Sequence, residues 1–330
     1  MRAKTSFILS VGLCGGVLLA CAALVFRVDP YFHYRAPQIG RFAYFLDNQR
    51  SQNDGIVRHF DYRALVTGSS MTENFRASDV ERLWGLKAVK VPFSGASFRE
   101  TSRIVQAAGA ANPRLELAIV GIDYNKLLAD KDWMREDLGS FPDYLYDDDP
   151  VNDIKYLLNG DAIRKAVAGL FAPAGMTSFD DYSCWHTSRT RYGAAAGLVR
   201  NGRAADGADV PQRPFTPADA RRIEENVAAN FVPMARAVKD LILFITPYSQ
   251  MRLDAWRREG RLERQRAAKR KFAEEVLKIP NVRLFDFEDR VEVTGDPANY
   301  RDLDHYGPWV SAQILEWLRA GTGEMKGGSL

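Results

Sequence analysis

Cysteine is nearly absent from this sequence. The chain has three, Cys14, Cys21 and Cys184, in 330 residues. The first two lie in an apolar run at the N-terminus. Only Cys184 is left for the remainder, so no intramolecular disulfide can staple it. Its stability must come from a core, and a hydrophobic share of 46% over this length is enough to build one without bridges. An excess of one charge is also missing: 45 Lys and Arg stand against 42 Asp and Glu. That balance argues against a nucleic-acid binder, which concentrates Lys and Arg in a patch. There is no glycine-rich phosphate loop and no zinc spacing, so no cofactor and no metal is implied. Histidine is scarce as well, with His33, His59, His186 and His305 only, which leaves few positions for a general base.

The N-terminus is the exception to an otherwise ordinary composition. Arg2 and Lys4 precede SFILSVGLCGGVLLACAALVF, Ser6–Phe26, which contains no charged residue. At ~1.5 Å per residue such a run covers about the ~30 Å hydrocarbon core of a bilayer. Residues 1–27 therefore read as an uncleaved anchor, N-terminus inside and the soluble part outside, although Arg27 weakens the charge asymmetry. A cleaved signal peptide would have an apolar core of only ~7–15 residues and a small-x-small site after it. LLAC at Leu18–Cys21 resembles a lipoprotein box, but cleavage there would strand five further apolar residues on the mature end.

Residues 28–60 mix Pro, Asp, Asn and aromatics and are expected to form a juxtamembrane linker without regular structure. Strand and helix signals then alternate. ALVTG (64–68), AVKVPF (88–93), LELAIVGID (115–123), LILFITP (241–247) and VRLFDF (282–287) read as strands. Between them, SDVERLWG carries a Ser78/Glu81 capping-box pattern. RETSRIVQAAGAA is helical up to Asn112–Pro113. Thr216, Pro217 and Asp219 mark the N-cap and first turn of another helix. AWRREGRLERQRAAKRKFAEEVLK reads as one charged helix, and the last helix presents Val310, Ile314, Trp317 and Leu318 on one face. These elements predict a three-layer α/β/α domain over 61–322 with a five-stranded parallel sheet. An insertion of loops and short helices at about 126–213 interrupts it, and 323–330 is expected to be a flexible tail.

In parallel sheets ligands bind beyond the carboxyl ends of the strands. Two hydroxyls, Ser69 and Ser70, stand there after the first strand. A serine is a weak nucleophile until a base lies within hydrogen-bond reach and a third group orients the base. His305 in YRDLDHYG has Asp302 three residues ahead and Asp304 adjacent, so one short loop supplies both base and orienter. The competing reading makes Ser70 only a cap of the following helix; separately, Ser69 is the second candidate for the nucleophile.

GSSM after the first strand and DLDH before the last helix resemble the first and last signature blocks of the SGNH (GDSL-like) hydrolase superfamily. The resemblance covers roughly Ala64–Leu318 apart from the insertion. Its motifs are short, but four occur in order, each at the end of an expected strand. It implies a flavodoxin-like fold with Ser70 as nucleophile, His305 as base and Asp302 as its orienter. It also implies an oxyanion hole from the N–H groups of Ser70 and Gly95. The third block normally reads G-x-N-D. Here GIDYN places Gly121 correctly but puts Asp123 where the donor Asn belongs. An ionised carboxylate only accepts hydrogen bonds. Asp123 must then be protonated or serve another purpose, or Asn125 or Asn74 must donate.

The wider layout is similar to membrane-anchored bacterial SGNH proteins of the cell envelope, the DltD and alginate-acetylation groups. That resemblance implies a serine esterase or O-acyltransferase at the outer face of the cytoplasmic membrane. Its substrate would be acylated envelope polysaccharide or a lipid-linked glycan, and a multispanning membrane acyltransferase is an implied partner. A non-catalytic assembly or binding subunit on the same fold is the alternative. Of the remaining residues, His59 and His186 are expected to be structural and Cys184 a packed thiol. Asp147–Asp149, with Asp143 and Asp153 nearby, read as a solvated acidic loop in preference to a calcium site. Arg257–Lys271 reads as a wet helix face, with contact to anionic headgroups or a polyanionic glycan as the second reading.

Overall fold

A computed structural model gives the structure, describing residues 2–38, 42–137, 140–171, 177–181 and 210–327. Cys184, His186 and the later part of the expected insertion lie outside the described residues. In chain order the elements are α1 (Arg2–Val28), α2 (Gln49–His59), β1 (Ala64–Thr67), α3 (Ala77–Trp84), β2 (Ala88–Lys90), α4 (Phe98–Ala111), β3 (Leu117–Ile122), α5 (Ile154–Leu157) and α6 (Gly160–Phe171). They continue with α7 (Pro217–Asn226), α8 (Val232–Arg236), β4 (Asp240–Ile245), α9 (Gln250–Arg258), α10 (Leu262–Val276), β5 (Val282–Asp286), α11 (Val291–Thr294) and α12 (Pro308–Ala320). The chain divides into two compact units, residues 1–60 with 140–182, and 61–139 with 183–330.

All five strands belong to the second unit. They form one sheet in the order β2-β1-β3-β4-β5, and every pair is parallel. β1 and β3 are buried at every position. That burial requires cover on both faces and explains why these strands read as nearly unbroken apolar runs. α3 packs with α12, α4 with α8, and α7 with α10. The order reverses between β1 and β3, so the carboxyl ends of these two strands flank the switch point where parallel α/β sheets bind ligands.

Local chemistry sets the element ends. Thr216 caps α7 in a capping box with Asp219, and Pro217 stands in its first turn. A π-helical turn, Val227–Phe231, joins α7 to α8 just before Pro233. Proline has no N–H to donate back along an α-helix, and a widened turn absorbs the mismatch. Elsewhere the structure corrects the sequence. The Ser78/Glu81 box does not form: α3 begins at Ala77 behind an extended Arg76 with no side-chain cap. Glu81 accepts the N–H of Ala88 at the start of β2 instead. The box belongs to α4, from Ser97 and Glu100. The long charged helix is two, α9 and α10, broken at Gly260, whose φ of 68° is left-handed. The tail is not free from 323. Gly323 O accepts from Asp286, Met325 donates to Leu284 O, and Phe285 and Glu324 form an antiparallel bridge.

In the first unit, Ala3–Val28 is long and apolar enough to cross a membrane, with a mean hydropathy of 2.5 over its best window. One side of its last turns is covered by protein. Val25 is fully buried with Tyr31, Leu145, Tyr156, Ala162 and Ala166, and Leu24 and Val28 pack against them. Asp29 organises the turn that follows. Its carboxylate accepts the N–H groups of His33, Tyr34 and Arg35 and the hydroxyl of Tyr156. The expected irregular linker is wrong, because residues 49–59 form α2. That helix was illegible because its buried face is polar. Gln52 is buried, donating to Pro30 O and Ala43 O and accepting from Phe45 N–H. Gly55 lies so near the preceding turn that a Cβ would fall 2.3 Å from Phe32 O. The acidic segment is self-contained: Asp147 accepts from Asp149 N–H and Asn152, and Asp148 pairs with Arg58. His59 hydrogen-bonds to His33 O.

Candidate active site

The turn after β1 is tight by necessity. Gly68 has φ 142°, and a Cβ there would lie 2.9 Å from Thr72 Cγ2 and 3.0 Å from Gly121 O of β3. Only glycine lets the two strand ends approach this closely. The two hydroxyls that follow divide their roles. Ser69 is buried and caps the 3-10 turn Ser70–Thr72, its Oγ accepting from Met71 N–H at 3.2 Å. Ser70 is half-buried, and its Oγ lies 2.9 Å from Nε2 of His305. The capping role considered for Ser70 belongs to Ser69. Lys90 steadies the far side of this turn. It reads in the sequence as the polar position of an alternating strand, yet it is fully buried and donates to Glu73 O and Phe75 O.

His305 reaches Ser70 from the loop before α12. Its Nδ1 lies 2.8 Å from Asp302 Oδ2 and 2.9 Å from Oδ1, and its own backbone N–H also donates to Asp302. Burial by itself raises the Asp302 carboxyl. The hydrogen bond and charge of His305, with the N–H groups of His305 and Asp304, outweigh it and hold the pKa at about 2. Asp302 is thus a carboxylate at neutral pH and fixes the tautomer with the proton on Nδ1. Nε2 is then a lone-pair acceptor facing the Ser70 hydroxyl.

This loop is pinned from several sides. Asn74 donates to Tyr306 O, Ser249 to Leu303 O at 2.6 Å, and Tyr300 to Pro247 O. Arg252 grips Asp304 with two bonds of 2.5 and 2.7 Å. Ser249 and Arg252 follow β4, so two strand ends and the closing helix converge on one histidine. Sequence reasoning missed both residues. They lie some fifty positions from their partners, and only a folded sheet relates them.

Gly95 sits in the loop after β2 with φ 66°. A Cβ there would fall 2.2 Å from Nη1 of Arg135, which donates to Ser94 O. Among the described residues, no protein acceptor takes the backbone N–H of Ser70 or of Gly95. Asp123 has another partner. Its Oδ2 lies 2.8 Å from Nζ of Lys126, which also donates to Ala96 O, so the pair ties the loop after β3 to the loop after β2. Asp123 Oδ1 is buried with no hydrogen-bond partner. Lys126 was also missed, although its i,i+3 spacing from Asp123 carries a signal. Of the substitute donors, Asn74 is bound to the histidine loop, and Asn125 Oδ1 accepts from Tyr248 OH.

The structure thus brings Ser70, His305 and Asp302 into one hydrogen-bonded chain at the carboxyl edge of the sheet. It places Asp123 in an ion pair next to that edge. Comparison with protein-family models gives no match, and comparison with curated proteins gives none.

Proposed function

We propose that the chain is a membrane-anchored serine esterase or O-acyltransferase of the SGNH type, with a three-layer flavodoxin-like domain. Its substrates would be acyl esters, acetyl above all, on cell-envelope polysaccharide outside the bacterial cytoplasmic membrane. One observation carries the reading. Ser70 Oγ stands 2.9 Å from His305 Nε2 while Asp302 holds the opposite ring nitrogen at 2.8 Å. In this reading Ser70 attacks the ester carbonyl as His305 Nε2 takes its proton. The imidazolium is stabilised by Asp302 and returns the proton to the leaving alkoxide. The N–H groups of Ser70 and Gly95 donate to the oxyanion. The acyl-serine then passes to water or to a sugar hydroxyl, with His305 deprotonating the acceptor. The apolar α1 supports a site of action where exported glycans leave the membrane.

A second reading, a non-catalytic subunit of a polysaccharide-modifying assembly, is favoured by Asp123. The loss of one oxyanion donor costs ~10²–10³ in rate, and here a buried carboxylate stands where that donor belongs. A fluorophosphonate probe separates the two readings. The catalytic reading expects labelling of the full chain in detergent, its loss in Ser70→Ala, and the adduct mapped to Ser70. Equal labelling of the two proteins removes Ser70 from the mechanism. No labelling of either, with acyl esters left intact, supports the second reading.

A further inference from the structure

The first unit carries an apolar surface that the anchor alone does not explain. α6 packs along the exit end of α1, through Ala162 and Ala166 in the cluster with Val25. A Cβ on Gly169 would lie 3.5 Å from Val28 Cγ1, so the α6 backbone lies against the last turn of α1. Lys165 is buried, its ammonium 2.9 Å from Asp47 and 4.2 Å above the Phe45 ring. Arg164 stands one turn before Val167 on the outward face, 70% exposed and paired with Asp161, a polar head at the edge of the stripe. The outward face then bears Val167, Leu170 and Phe171, which are 42%, 50% and 85% exposed. These three recur at i, i+3 and i+4, a single stripe. Val151 and Ile154, at the neighbouring α5, are exposed as well.

Depth decides what covers this stripe. From Lys4 to Val28, α1 rises about 36 Å at ~1.5 Å per residue, against a hydrocarbon core of ~30 Å. Leu24–Val28 therefore emerge in the interfacial layer, and the helix held against them lies there too. Phe26 of α1 is exposed in this same zone, and the Arg35 guanidinium stacks over its ring at 4.5 Å, an arrangement suited to a headgroup boundary. An interfacial helix of this kind seats its apolar face ~5–10 Å into the headgroup–acyl boundary.

We propose that α6 is a second membrane contact: held against the exit end of α1, it sinks Val167, Leu170 and Phe171 into the outer leaflet. The occupant of the stripe is lipid, and the anchor is a two-point one, fixing the tilt of the first unit as well as its tether.

The test uses the full chain in lipid nanodiscs with Cys21 and Cys184 changed to Ser. Cys14, exposed on α1, is kept in one protein as the reference. In the others it is also changed to Ser, and single cysteines are introduced by Leu170→Cys, Phe171→Cys or Asp148→Cys. Asp148 has a side chain 90% exposed and serves as the aqueous control. Each is labelled with bimane and compared in plain and brominated lipid, then with iodide in the buffer. The expected result is at least ~twofold quenching by brominated lipid at 170 and 171, as at Cys14, with little effect of iodide. Position 148 should show the reverse. Quenching of 170 and 171 by iodide alone overturns the proposal. Protection from both quenchers also overturns it and points to a protein partner or second copy on the stripe. Absence of lipid quenching at Cys14 would refute the membrane span itself, on which the proposal rests.

Discussion

Arg252 gives the sharpest test of how the histidine loop is held. Its guanidinium makes two bonds to Asp304, next to His305, and the two side chains are 24% and 29% exposed. Exposed ion pairs contribute ~0–1 kcal/mol and hydrogen bonds to charged groups ~1.5–3 kcal/mol. A bidentate pair about a quarter exposed falls between them, at ~1–1.5 kcal/mol. Ser249 still holds Leu303 O when Arg252 is gone, so Arg252→Met should loosen the loop without releasing it. If that free energy acts wholly on the alignment of His305, kcat/KM falls about five- to tenfold, since ~1.4 kcal/mol is a factor of ten. The assay is hydrolysis of p-nitrophenyl acetate, in parallel with thermal unfolding. The effect is local, so Tm should move by less than ~4 °C. Asp304→Asn should match the single variant, and the double variant should be no worse than either, because both remove the same contact. Activity within twofold of the parent refutes the reasoning. Additive losses in the double variant do so too, since they would mean that the two residues act separately.

Other outcomes follow from the same geometry. Gly95→Ala places a Cβ against Arg135 at a left-handed φ; kcat should fall ~10²-fold as the N–H is displaced, measured with the same ester. Asp302 stays ionised until pH falls through about 2, because its pKa is lowered and its bond to His305 is lost only below that value. A pH–rate profile should therefore show no carboxylate inflection near pH 4. Asp302→Asn should cost ~10³–10⁴ in kcat. Asp219 is held at about 2 first by its bond to Arg264, then by Thr216, against the opposing effect of burial. A lowered carboxylate stabilises above its unfolded value and loses that contribution as pH falls from about 4 to 2. Asp219→Asn should therefore cost ~2 kcal/mol at pH 7, a penalty that shrinks below ~1 kcal/mol by pH 2 in urea unfolding.

The parallel sheet was legible because β1, β3 and β4 are bounded apolar runs between turn residues, and apart from Asp240 at the start of β4 the observed strands fall inside the expected ones. The convergence of Ser70, His305 and Asp302 was legible from local pattern: a glycine before the hydroxyls, and a carboxylate three residues before the imidazole. What stayed hidden has a common physical cause. α2, Lys90 and Gln52 bury polar groups against backbone carbonyls, and a polar residue satisfied in this way looks like a surface residue in sequence. Gly260 sat inside a charged run whose helical spacing continues on both sides, so its left-handed turn was invisible. Arg252 and Ser249 depend on β4 lying next to β3 and β5, which only the strand order reveals.

The three residues Gly323–Met325 have a further consequence. β5 is an outer strand of the sheet, and its free backbone would offer a ladder to any strand that drifted alongside. Antiparallel pairing through Asp286 and Leu284 occupies part of that ladder from within the chain, and Glu324 locks it with two bonds to Arg283. A truncation ending at Thr322 would keep α12 whole but uncover this border. The shortened protein should then stick to itself in concentrated solution, a liability of assembly and not of folding.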